Sequence, residues 1–150
     1  MTTARTLPRT VPAARRAWTG LPAPDPHTVT GRWEASFFTP LRTVAPLGLG
    51  LIGLPRWFGK QLTPTTGTNL VRDRAGTLSE VLPMRLSEQP SWADGGPTLV
   101  AGYAEDAPRP WRWVRDELRV LDDGVLLGLT FTDAPGLRRA GLPFLLTREG

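Results

Sequence analysis

Gly31-Arg32-Trp33-Glu34-Ala35-Ser36-Phe37-Phe38 is aromatic-rich, stops at Thr39-Pro40, and reads as a first strand followed by a break. It decides the fold class because the chain after Lys60 continues in the same texture, with short runs parted by turn residues every eight to twelve positions. Asn69 to Asp73, Leu78 to Leu86, Thr98 to Ala104, Trp111 to Leu121, Val125 to Thr132 and Phe144 to Arg148 are the expected strands, with Pro83 marking an edge or bulge. Asp94-Gly95-Gly96, Asp122-Asp123-Gly124 and Ala134-Pro135-Gly136 are turns, and Asp123-Gly124 between two strand-like runs is a hairpin signal. The expectation is an all-β chain, a single antiparallel β-barrel.

Between these strands lies Val44 to Leu54, almost wholly apolar or glycine but far short of the ~20 residues that span a bilayer. It reads as a short helix or lid after the first strand, covering one barrel mouth, with Trp57 to Lys60 at its end. Gly48-Leu49-Gly50-Leu51-Ile52-Gly53 within it matches the dinucleotide-binding glycine pattern. Pro40, Pro46 and Pro55 deny the pattern its flanking strand and helix. Residues 1–28 read as a flexible Pro/Arg-rich tail, with a short helix around Ala13 to Trp18 as the alternative, and residues 29–150 form the barrel domain.

Composition excludes several chemistries. The 150 residues hold no cysteine and one histidine, His27, too little for disulfides, thiol catalysis or a zinc site. No D-x-D-x-D-G calcium loop, P-loop or G-x-S-x-G elbow occurs. The net charge of +4 resides mainly in the first 30 residues, where four arginines face Asp25 alone; the remainder carries 14 basic and 13 acidic groups. A nearly neutral folded part does not suit nucleic acid. No secretion-signal core is present, so a cytoplasmic location, without an integral membrane segment, is expected; a homo-oligomer is compatible with the sequence.

Gly31-x-Trp33, Trp57-Phe58-Gly59-Lys60, Asp116-Glu117-Leu118-Arg119, Leu127-Gly128 and the closing Phe144-Leu145-Leu146-Thr147-Arg148 follow one another in an order that resembles the GXWXG domain family, over about residues 31 to 148. The resemblance implies a lipocalin-like barrel of the calycin type, whose floor is shut by a late arginine, here Arg148, laid over the first-strand tryptophan, Trp33. Two positions depart from the pattern: Ala35 stands at the second glycine of the motif, and Glu117 stands where relatives tend to carry histidine. Chemistry through that histidine is closed to this chain. Nor does any late strand carry a histidine for haem iron, so no cofactor is expected.

A barrel without a triad or metal set points to a small hydrophobic metabolite, polyketide-, terpenoid- or lipid-like, as partner. It would be held, or cyclised or isomerised without a cofactor; the alternatives are a non-catalytic carrier or a module that binds partners through the tail or lid. Three residues are candidate catalytic groups. Lys60, the only lysine, is either desolvated by Trp57 and Phe58 to a lowered pKa or snorkels to solvent. Strand alternation turns Asp116 inward with Leu118, as a general acid or base, or as an ion-pair partner of Arg119, Arg72 or Arg85. Tyr103, the only tyrosine, either donates to a ligand carbonyl or is a satisfied core phenol. Trp57, Phe58, Trp111, Trp113 and Arg119 are the candidate ligand-binding side chains, while Glu80 and Arg85 are cavity groups or solvated edge charges.

Overall fold

Period-two alternation sorts the barrel residues into two sets. Trp33, Leu62, Met84, Leu86, Leu99, Ala101, Leu118, Leu126, Phe144 and Leu146 pack together as the interior cluster, and Leu121, Leu127, Leu129 and Phe131 belong to a second cluster outside the wall. The computed structural model describes residues 7–38, 56–109, 111–132 and 141–149. Its strands are β1 (Gly31–Phe37), β2 (Trp57–Leu62), β3 (Thr66–Arg72), β4 (Leu78–Pro90), β5 (Pro97–Tyr103), β6 (Val114–Asp122), β7 (Val125–Thr132) and β8 (Leu142–Arg148). Each pairs antiparallel with the next, and β8 returns to β1 with Trp33 opposite Arg148 and Phe37 opposite Phe144, closing the barrel. This is the expected all-β, lipocalin-like fold. The β6–β7 hairpin turns at Asp123-Gly124, where Gly124 adopts φ 70°.

The floor closes as the sequence implies. The Arg148 guanidinium lies 4.4 Å from the centroid of the buried Trp33 indole and donates to the carbonyls of Thr28 and Thr30. Trp33 Nε1 donates to Val29 O at 2.8 Å. Two glycines permit close approach inside this frame: a Cβ at Gly59 would sit 1.8 Å from Trp33 O, and one at Gly128 would sit 2.2 Å from the Phe144 ring.

Three expectations are corrected. The sequence read Trp57 to Lys60 as the end of a covering segment, whereas these residues begin β2, and Lys60 faces inward opposite Trp33. A bulge between Trp57 and Gly59 breaks the alternation and hides the strand. Trp111 to Trp113 is a 3₁₀ turn rather than the start of a strand. Residues 10–28 are not a flexible tail. Val11–Trp18 is a helix, α1, capped by Thr10, whose side chain accepts from Ala13 N, with Pro12 in the first turn where its missing N–H costs nothing.

Helix α1 is held by polar groups on the outside of the wall. Trp18 is 1% exposed, and the Arg119 guanidinium stacks 4.5 Å from its ring centroid. Arg119 also bonds Asp94 through both Nη atoms at 2.6 and 2.7 Å and donates to Trp18 O. Beside it, buried Glu117 accepts from Ser91 Oγ at 2.6 Å and Trp92 N at 2.8 Å and pairs with Arg115. The expected lid, Val44 to Leu54, with its glycine pattern, and the Ala134-Pro135-Gly136 turn lie outside the described residues. No described helix is long and apolar enough to cross a membrane.

Candidate functional site

The barrel interior changes character from floor to mouth. Inward residues of the lower half (Trp33, Leu62, Leu99, Leu118, Leu126 and Leu146) are all closed to solvent. Towards the end where β1 leaves and β8 enters, the inward positions Ala35, Phe37, Trp57, Tyr103 and Thr130 are half-buried, and Leu142 is 47% exposed. Among the described residues the barrel interior is therefore closed to solvent below and half-buried above, where these side chains form the cup. Its aromatic wall is Phe37, Trp57 and Phe144, with ring centroids 5.6 Å apart for the first pair and 5.8 Å for the second.

At the boundary between the two halves, the three candidate catalytic residues meet. Lys60 Nζ lies 2.7 Å from Asp116 Oδ2, with side chains 1% and 6% exposed. Lys60 Nζ also donates to Asn69 Oδ1 at 2.9 Å, and Asn69 Nδ2 donates to the Tyr103 oxygen at 2.7 Å. Thr130 Oγ1 donates to Asp116 Oδ1 at 2.8 Å, and Trp57 Nε1 donates to Asn69 Oδ1 at 3.2 Å. The Trp57 ring lies 5.6 Å from Lys60 Nζ. Strands β2, β3, β5, β6 and β7 all contribute inward polar groups to a single network, β2 two of them.

Its electrostatics correct the expectation of a depressed lysine. Burial pushes Lys60 down, but the Asp116 charge and the hydrogen bonds around the ammonium outweigh it, and the pKa is raised. Lys60 is a fixed cation at neutral pH, unsuited to act as free amine, and it does not reach solvent. Burial likewise raises Tyr103, reinforced by the Asp116 charge against the opposing pull of Lys60, so it stays a phenol. Asp116 pairs with this lysine, not with Arg119, Arg72 or Arg85.

The ligand-binding candidates divide. Trp57 forms the cup wall, and Trp111 is buried at the rim with its ring 5.5 Å from Tyr103. Phe58 does not enter the cup: the β2 bulge turns it outward, where Arg72 stacks on its ring at 4.9 Å. Trp113 is 41% exposed at the end of its 3₁₀ turn, flanked by Arg109 and Arg112. Arg119 lies on the far side of the wall, under α1. Glu80 and Arg85 are both exposed and both line a cleft of about 650 Å³ that Tyr103 also borders, where Glu80 accepts from Thr68. Sequence reasoning missed Asn69, Thr130, Phe37 and Phe144 as site residues. Asparagine is depleted in strands, so Asn69 mid-strand was the available signal; Thr130 offered none.

Neither a protein-family model nor a curated protein matches the chain. A solved structure of a protein from Thermomonospora curvata is similar, with a TM-score of 0.64 at 22% identity, covering 89% of this chain and 83% of that one. That likeness carries the fold.

Proposed function

We propose that the upper barrel binds a small, mainly apolar molecule bearing an oxygen acceptor, such as a carbonyl. The carrying observation is the state of Tyr103. Its oxygen already accepts from Asn69, its pKa is raised, no described acceptor takes its own hydrogen, and its half-buried side chain borders a cleft of about 650 Å³ along β3 to β5. The hydroxyl is then a donor held ready for a ligand, with Phe37 and Trp57 supplying apolar contact. Lys60 backs this donor electrostatically from below.

A second reading, cofactor-free isomerisation or cyclisation of that ligand, is favoured by the same network. The Tyr103 phenol, polarised by the buried Lys60 ammonium behind it, would donate to negative charge developing on a substrate oxygen, an effect worth about 3 kcal/mol for one donor in known oxyanion sites. Asp116 has both oxygens occupied and serves in this reading to hold Lys60. Membership of the GXWXG family belongs to the same proposal and rests on the order of the motif residues in the sequence.

Native mass spectrometry of freshly purified protein tests the binding reading. A co-purifying molecule of a few hundred daltons, lost or weakened in Tyr103→Phe, is the expected result. Protein that is free of ligand and takes up no ketone or alcohol of that size argues against it. Chemical change of the bound molecule over time separates the enzyme from the carrier.

A further inference from the structure

Just outside the cup, Arg56, Arg72 and Arg74 border a cleft of about 450 Å³ that also touches Trp57 and Phe58. All three arginines are exposed, and no described carboxylate lies within ion-pair distance of any of them. Asp73, the acid lining this cleft, is fixed by its Oδ1, which accepts from Ala75 N and Thr77 N, each at 2.8 Å, and so holds the β3–β4 turn; its one negative charge leaves the three arginines in excess. Arg72 is steadied by its stack on Phe58, and its N–H donates to Arg56 O at 3.0 Å, which ties the two arginine backbones together.

Guanidinium groups in excess of carboxylate and not ion-paired among the described residues, beside an aromatic surface, suit a phosphate or carboxylate, which they bind through paired charge-assisted hydrogen bonds. Trp57 borders this cleft and also packs against the interior cluster, so the cleft adjoins the barrel mouth. We infer that the Arg56–Arg72–Arg74 cleft receives the oxyanion head of an amphipathic ligand whose apolar chain lies in the cup. This rests on the binding reading above and adds to it the ligand's charge and its orientation, head at the β2–β3 rim and chain inward.

The test compares decanol, decyl phosphate and decanoate by tryptophan fluorescence titration at low salt, on the whole protein and on Arg72→Gln/Arg74→Gln. Both substituted side chains are exposed, so folding is retained; urea midpoints check this. The charged amphiphiles should bind about tenfold more tightly than decanol, and the double variant should lose that preference while its decanol affinity is unchanged. Inorganic phosphate should weaken binding of decyl phosphate and leave decanol alone; the two charged probes separate a phosphate head from a carboxylate. Decanol binding as tightly as the charged probes, or a preference that survives the double substitution, overturns the inference and leaves the cup intact. Failure of all three amphiphiles to bind overturns the cup as well.

Discussion

Lys60 Nζ and Asp116 Oδ2 meet at 2.7 Å inside the barrel, from strands on opposite sides of the sheet order, with almost no solvent contact. A buried ion pair gains little over apolar packing, because both charges lose their hydration. Its presence above a solid apolar core gives the cup its polar base, and Asn69, Thr130 and Trp57 complete the hydrogen bonds that make it tolerable.

Asp116→Asn leaves the Lys60 ammonium buried opposite a neutral amide and is expected to cost about 3 to 5 kcal/mol. The double variant Lys60→Met/Asp116→Asn should recover a large part of that loss. Urea denaturation of the two variants checks this, and equal destabilisation of single and double variants would show that the charge is not the cause.

Stability should fall in alkali. Lys60 and Tyr103 both have folded-state pKa values raised above their ordinary values of 10.5 and 10.0. The fold therefore favours the protonated form of each, and this contribution is fully present below those ordinary values and is lost as pH rises through the raised ones. Urea midpoints should hold through pH 8 and 9 and decline above about pH 10, less steeply in Lys60→Met. A midpoint that rises between pH 10 and 11 would contradict the assignment.

Trp33→Ala removes the indole from the floor and should destabilise by roughly 3 to 5 kcal/mol, while Arg148→Ala, which loses a partly exposed stack and two carbonyl bonds, should cost about 1 to 2. A Trp33→Ala loss below about 1 kcal/mol would contradict the closure.

Trp18→Ala should destabilise on the same scale as Trp33→Ala, about 3 to 5 kcal/mol, because it uncovers Arg119 as well as deleting a buried indole. A shift of only a few tenths of a kcal/mol, typical of a surface site, would restore the flexible tail that the sequence suggested.

The pattern of barrel residues was open to reading because a closed sheet repeats one simple signal. Trp33, Leu118, Leu126 and Leu146 alternate with outward residues, and the Asp123-Gly124 turn sets the β6–β7 register. Asp116 could be placed inward by that alternation alone. What it paired with could not, since Lys60 sits in a strand masked by a bulge at Phe58 and by the apolar run before it. The N-terminal segment misled for another reason. Its prolines argue against a long helix, yet Pro12 occupies a first turn, and what holds α1 down is Arg119, Asp94 and Ser91, distant in sequence. Alternation marks Glu117 and Arg119 as outward; only the tertiary packing of α1 and the Ser91–Asp94 loop makes them buried.

The barrel is closed to solvent at the floor, and its proposed binding site lies at the mouth. Amide and side-chain NMR during titration with a small ketone or alcohol amphiphile tests it residue by residue. Shifts confined to Ala35, Phe37, Trp57, Tyr103, Thr130 and Leu142, with Leu62, Leu99 and Leu118 unmoved and Tyr103→Phe weakening binding about tenfold, is the predicted result. Saturable binding that shifts only residues of α1 or the outer face, or no saturable binding at all, would contradict it.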